Sequence, residues 1–291
     1  MAVVAARSRK AKEALMAYAM LAPLLAVFAV FAYYPFYRLF QFALFQKFSN
    51  SDEERFVGFQ GIWDNLSSDE FTSGLWTTLK FMLYTVPAGL VLGVLLATAA
   101  HRRLKGIKIF QTIFSSTIAS SVAVSSVVFL TLINRQSGFF QNVEFLNLER
   151  TGSALRGVAL SSVWQNIGLT FIIVLAGMQA IPEEINEAAT LDGYGPIRRF
   201  FRVTVPMISP TLLFLAVVLV VQALQAYAQI ELLTLGGPQG STETLLYKIT
   251  ELQSRTDLQT GASFALGLFV LTLLISVGQF VMLNRRVHYD N

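Results

Sequence analysis

Residues 158–181, VALSSVWQNIGLTFIIVLAGMQAI, form an apolar run without a charged side chain, and this run decides the fold class. A helix of roughly 20 such residues crosses the hydrocarbon core of a bilayer. Membrane β-barrels instead need alternating strands of about ten residues, a pattern that this run does not show. Five further apolar runs lie at 15–36, 75–100, 110–133, 211–233 and 262–283. The sequence predicts an all-α membrane protein with six transmembrane helices.

The composition agrees with a membrane environment. The chain has 291 residues, of which 54% are hydrophobic and only 14% charged, whereas soluble domains carry about 25% charged residues. It has no cysteine, which excludes disulfides and thiolate metal sites, and its two histidines, His101 and His288, both lie near arginines. These features argue against a metal centre. An intramembrane enzyme is therefore a weaker alternative to a protein without catalytic residues of its own.

The distribution of basic residues predicts the orientation. Lys and Arg number four before residue 15, four in 101–109, three in 182–210 and two at the end, thirteen of the 22 in the chain. Because short cytoplasmic loops retain positive charge, we expect both termini in the cytoplasm. The basic balance therefore indicates topology, and we expect no nucleic-acid partner. A signal peptide over the first run is a weaker reading, since an aromatic stretch follows it.

Residues 181–206, IPEEINEAATLDGYGPIRRFFRVTVP, predict two short helices with a sharp bend. Pro182 suits a first helical position, Gly193 suits a left-handed helix end, and Gly195 with Pro196 can open the next helix. Phe200 and Phe201 add apolar anchors to a polar segment. The pattern is typical of a docking surface, although an amphipathic loop lying on the membrane fits the spacing equally well.

The same segment resembles the EAA loop of ATP-binding-cassette (ABC) importer permeases. The resemblance keeps the spacing of the family pattern without a gap, with Tyr194, Val203 and Val205 in place of the usual Ala, Ile and Leu. It implies a type I ABC importer transmembrane domain in which this hairpin couples to a cytoplasmic ATPase subunit. The implied coupling residues are Glu187, Ala188, Ala189, Asp192, Gly193, Phe200 and Pro206.

Weaker stretches extend the resemblance toward the carbohydrate-uptake branch, maltose-type and glycerol-3-phosphate-type permeases. They include Gly236-Gly237-Pro238, Thr244 to Tyr247, and Arg285 to Tyr289. The resemblance implies a second permease subunit, two ATP-binding subunits and an extracellular or periplasmic solute-binding protein as partners. It also implies a multi-pass protein of a bacterial or archaeal cytoplasmic membrane, surrounded by lipid.

The expected organisation is a cytoplasmic tail at 1–14, a permease domain at 15–284 with a coupling loop at 182–206, and a second tail at 285–291. The sequence contains no G-x-x-x-x-G-K-[ST] loop, so it lacks that route to ATP binding. We therefore expect ATP and Mg²⁺ on the partner ATPase and no cofactor in this chain. A stand-alone ion-coupled transporter is a weaker alternative, because Glu231 is the single acid near a span end.

Polar residues inside the spans indicate a substrate pathway. Gln222, Gln225 and Gln229 recur at i, i+3 and i+7, on one face of a continuous helix. Amides pair with hydroxyl groups as donors and acceptors, which suits a small-molecule substrate such as a sugar or polyol. Contacts with a partner permease explain them almost as well, and glycerol-3-phosphate remains an alternative cargo. The candidate pathway residues are Gln165, Asn166, Gln222, Gln225, Tyr227 and Gln229; the serine-rich run 115–126 favours close helix packing instead.

Overall fold

The structure is a computed structural model that describes residues 16–47, 54–101, 105–255 and 257–284. The expected tails, 1–14 and 285–291, and the basic residues Arg102 and Arg103 lie outside these ranges. In chain order the helices are α1 (Met16–Leu44), α2 (Gly58–Leu66), α3 (Asp69–Ala100), α4 (Ile107–Ala119), α5 (Val122–Ile133), α6 (Ala154–Gln179), α7 (Glu183–Leu191), α8 (Pro196–Met207), α9 (Ser209–Leu224), α10 (Ala228–Leu233), α11 (Leu245–Ser254) and α12 (Leu258–Asn284), and strands β1 (Phe45–Lys47) and β2 (Glu54–Phe56) form an antiparallel pair between α1 and α2.

Four of the described helices, α1, α3, α6 and α12, are long and apolar enough to cross a membrane. Two bent pairs, α4 with α5 and α8 with α9, raise the number to six if each pair forms one span. The predicted helical architecture is thus confirmed, with one short antiparallel β pair that was not expected. Several boundaries differ from the prediction, since α1 continues to Leu44 and α3 begins at Asp69.

Helix α6 is the centre of the bundle, and glycine lets its neighbours approach closely. It packs along α3 and also contacts α9. A Cβ added at Gly93 of α3 would lie 2.7 Å from Thr170 Cβ, and one at Gly177 would lie 2.9 Å from Thr211 Oγ1. Small residues at such contacts bring membrane helices together. The core around them contains fully buried Phe81, Phe171 and Phe264.

The third predicted span is not one straight helix. Helices α4 and α5 meet at 108°, and the bend falls within the serine-rich run. Ser120 is extended, and Ser121 Oγ accepts a hydrogen bond from Val124 N (3.2 Å), which starts α5 as a new helix. Serine side chains compete for backbone hydrogen bonds and favour such helix starts. Close packing also occurs here, because Ser125 and Ser126 are buried.

Helix α1 stands apart from the bundle over most of its length. Residues 16–38 are exposed throughout, and a π-helical turn at Ala29–Tyr33 interrupts the α-helix. The aromatic stretch 33–37, expected near the end of the span, lies inside this helix. Its C-terminal part packs on α12, where the rings of Phe36 and Phe269 are 5.1 Å apart.

Candidate functional site

A cavity of about 370 Å³ with a mixed polar and apolar lining lies between α3, α5, α6, α9 and α10. A volume of this size falls within the range of small-molecule sites. All six residues that the sequence marked as pathway candidates line it: Gln165, Asn166, Gln222, Gln225, Tyr227 and Gln229. The structure therefore brings together residues that are up to 64 positions apart in the chain.

The helix carrying the three glutamines is not continuous, which corrects the sequence-based geometry. Helix α9 ends at Leu224, and α10 begins at Ala228, so that Gln225 and Tyr227 lie on non-helical backbone. The glutamines converge because this break turns them toward one cavity, and not because they share one helical face. In membrane proteins, non-helical backbone is tolerated where it is buried in protein or lines a watery cavity.

Threonine side chains stabilise the break from another part of the chain. Thr244 Oγ1 donates to the Ala226 carbonyl (2.8 Å), which the interrupted helix leaves unpaired. Thr244 also caps α11, and the next amide, Leu245 N, donates to Thr78 Oγ1 of α3 (2.8 Å). Both threonines are fully buried. Together they connect the break to the wall of the bundle.

The cavity has a braced side and an open side. Gln229 Nε2 donates to Gln165 Oε1 (3.0 Å), and both side chains are half-buried. Gln222 and Gln225 are exposed. The amides on the open side can therefore pair with a ligand or with another chain.

Sequence reasoning missed an aromatic pair beside the cavity. Tyr227, which lines the cavity, stacks on Tyr247 of α11 with ring centroids 5.9 Å apart. Burial raises the pKa of Tyr247 to about 12, with further contributions from nearby Glu231, Glu251 and Glu243. Phe81, Thr85 and Ser162 also line the cavity. The sequence positions of Phe81 and Thr85 give no signal for this role, whereas Ser162 lies one helical turn before Gln165 and Asn166.

The segment 182–206 forms the predicted helical hairpin of α7 and α8. Pro182 is the residue before the helix and not its first turn, so the helix begins one position later than expected. Gly193 has φ of +75°, and Tyr194 N donates to the Ala189 carbonyl (3.0 Å), which closes α7. Gly195 then precedes Pro196, the first residue of α8, as predicted.

The hairpin surface combines carboxylates with exposed apolar side chains. Glu187, Ala188, Asp192 and Pro206 are exposed, whereas Ala189 is buried. Phe200 is half-buried and packs on the core cluster around Phe171 and Met178, so it is not a free anchor. The most exposed apolar residues of the hairpin are Leu191 (89%), Ile197 (75%) and Phe201 (66%).

Tyr194, which replaces a small residue of the EAA pattern, does not disrupt the bend. Its ring is half-buried, and the Arg198 guanidinium lies 4.4 Å from its centroid. Arg199 Nη1 donates to Thr190 Oγ1 (3.1 Å) across the two helices. A cleft of about 1090 Å³ separates the hairpin from the ends of α3 and α6.

Comparison with known proteins gives the family. Residues 75–289 match the family described as "Binding-protein-dependent transport system inner membrane component". The chain is 32% identical over 244 residues to the sn-glycerol-3-phosphate transport system permease protein UgpA of Escherichia coli O157:H7, covering 81% of this chain and 83% of that protein. It is 34% identical over 243 residues to the protein of the same name from Yersinia enterocolitica serotype O:8, with 81% and 82% covered.

A solved structure shows the same fold. A chain of the bacterial alginate ABC transporter, in complex with an alginate pentasaccharide-bound periplasmic protein, superposes with a TM-score of 0.81 at 21% identity, covering 94% of this chain and 96% of that chain. The family match extends over both the cavity and the hairpin. The chain therefore belongs to the inner-membrane components of binding-protein-dependent transport systems and is the permease subunit of an ABC importer.

Proposed function

We propose that the cavity at the break between α9 and α10 binds a neutral, polyhydroxylated cargo such as a sugar or polyol. The observation that carries the proposal is the convergence of five carboxamide side chains and one tyrosine on a single cavity. A carboxamide offers a donor and an acceptor at once, which matches a hydroxyl group. Tyr227 supplies an aromatic surface for the C–H faces of such a molecule.

The charge of the cavity favours a neutral cargo over a phosphate. No described residue that lines it is Lys, Arg or His, and phosphate sites usually contain such cations. The first residues of α5 and α10, Val122 and Ala228, lie at its wall, so a phosphate would meet helix N-termini without a cation beside them. Glycerol-3-phosphate is the second candidate, since it is the cargo named for the 32–34% identical relatives. For this cargo a cation would have to come from another subunit.

We propose six spans with both termini in the cytoplasm, in which each bent helix pair forms one span. This arrangement places the α7–α8 hairpin, its basic residues and the expected tails 1–14 and 285–291 on the cytoplasmic side. It also places the expected permease domain, 15–284, across the membrane. The positive charge of the short loops supports this orientation.

The hairpin at 182–206 is the proposed coupling element. Glu187, Asp192 and the exposed apolar residues Leu191 and Ile197 offer a compact surface for a cytoplasmic ATPase. The proposed complex has a second permease subunit, two ATPases that hold ATP and Mg²⁺, and a solute-binding protein. Closure of the ATPases moves the hairpins and opens the cavity outward; this requires that the ATPases bind the two hairpin arrangements with different affinities.

The cargo is tested by ATP hydrolysis of the complete transporter in nanodiscs. Binding proteins loaded with neutral sugars or with glycerol-3-phosphate are added in parallel. We expect a neutral sugar to stimulate hydrolysis. We expect Gln229→Leu to lower the apparent affinity of this stimulation about tenfold, the effect of losing one hydrogen bond. Gln253→Leu, on an exposed part of α11, is the control. Stimulation by glycerol-3-phosphate alone would overturn the neutral-cargo proposal.

A further inference from the structure

Helix α2 (Gly58–Leu66) has three distinct edges, because an α-helix turns by about 100° per residue. The first edge packs on the bundle. Ile62 contacts the cluster that contains Ala43 and Leu266. Asn65 Nδ2 donates to Gln259 Oε1 (3.1 Å) and to Ser263 Oγ (3.2 Å), both on α12. These contacts fix the rotation of α2 about its own axis.

The second edge is aromatic and has no covering group in the described part of the chain. Phe59 and Trp63 lie one helical turn apart, and their side chains are 78% and 70% exposed. Phe56, at the end of β2, is 63% exposed and precedes the helix. The third edge is polar and consists of the exposed residues Gln60 and Asp64.

We infer that α2 lies in the plane of the membrane, with Phe59 and Trp63 inserted at the boundary between lipid headgroups and acyl chains. The partner of this edge is the lipid surface. An interfacial helix carries Trp and Phe on its lipid side and polar residues on its water side. The aromatic edge lies between the bundle-facing edge and the polar edge, as expected when protein, lipid and water meet at one helix.

The position of α2 in the chain supports this partner over a soluble protein. It follows the C-terminal end of α1 and precedes α3, two helices long enough to span the membrane, so it lies near the level at which these helices leave the bilayer. A soluble partner would approach from the water side, which is the side of Gln60 and Asp64. The assignment to the outer leaflet rests on the orientation proposed above, whereas insertion itself does not.

The chain contains no cysteine, which makes spin labelling direct. Single cysteines are placed at Phe59, Trp63, Gln60 and Asp64 and labelled in the complete transporter in nanodiscs, with partner subunits free of reactive cysteines. Oxygen, which concentrates in lipid, and a water-soluble nickel complex compete to relax each label. Basal ATP hydrolysis by each labelled transporter confirms that the complex is assembled and folded.

We expect oxygen to relax the labels at positions 59 and 63 more than nickel does, and the reverse at positions 60 and 64. This reversal within one helical turn is the signature of an in-plane helix. Stronger nickel relaxation at all four positions would overturn the inference, as would immobilised labels at 59 and 63 that oxygen does not reach, because these indicate a protein contact. Loss of cargo stimulation by the unlabelled transporter would contradict the proposed function and leave the depth measurement unaffected.

Discussion

Gly168 has no space for a side chain, and it makes the tightest glycine contact of α6 with a neighbouring helix. A Cβ there would lie 2.5 Å from Thr117 Oγ1 and 2.7 Å from Ile118 N. The second atom belongs to the backbone of the 3-10 turn at Ser116–Ala119, so it cannot move away by changing a rotamer. The contact therefore sets how closely α4 approaches α6.

Gly168→Ala is expected to destabilise the permease by about 1–3 kcal/mol, as for other overpacked cores. The measurement is the thermal unfolding midpoint of the complex in nanodiscs. Gly278→Ala on α12 is the matched control, because no heavy atom in the described part of the chain lies within 4 Å of its added Cβ. Equal midpoints for the two variants would contradict the close contact.

The sequence predicts the bend between α7 and α8 but not the break between α9 and α10. The bend between α7 and α8 follows from Gly193, Gly195 and Pro196, which are local signals. The break at 225–227 contains neither glycine nor proline. It is stabilised by Thr244, 18 residues later, and such a non-local hydrogen bond cannot be derived from helix propensity. The sequence therefore predicted one continuous helix where the structure has two.

Thr244→Val should weaken the break, because it removes the hydroxyl that satisfies the Ala226 carbonyl and keeps the side-chain shape. Leaving a buried acceptor unpaired costs about 1–3 kcal/mol. We expect a lower unfolding midpoint and weaker stimulation of ATP hydrolysis by the loaded binding protein. Thr244→Ser retains the hydroxyl and should restore both. If Val and Ser behave alike, the hydroxyl does not stabilise this break.

At the scale of the whole molecule, the sequence identified some residues of the cavity and of the hairpin and missed others. The amide residues of the cavity were identified because polar groups inside apolar runs are conspicuous. Tyr247 and Phe81 join the same region only through packing between distant helices. For the hairpin, Phe200 was expected to be an anchor but packs inward. Phe201, the other expected anchor, is exposed together with Leu191 and Ile197.

The proposed orientation predicts opposite labelling of two exposed positions, one on each side of the membrane. Phe139 (91% exposed) follows α5, and Leu191 (89% exposed) is in the hairpin. A cysteine at position 139 should react with a membrane-impermeant maleimide in intact cells, and one at position 191 only after permeabilisation. The native chain, which has no cysteine, provides the blank. The opposite result would invert the topology.

Glu187→Ala should uncouple the transporter. We expect the complex to assemble and to retain basal ATP hydrolysis, but to lose most of its uptake, because the exposed carboxylate is a proposed contact with the ATPase. Glu184→Ala, also exposed on the same helix, is the control and should retain uptake. Full uptake by the Glu187 variant would remove this residue from the coupling surface.

The open side of the cavity has an evolutionary consequence. Gln222 and Gln225 are exposed, whereas Gln229 is braced by Gln165, so this chain determines only one wall of the space around a cargo. If the second permease completes that space, a change of cargo requires matched substitutions in two genes. Transporters assembled from permeases of different importers would then inherit one half of their selectivity from each parent.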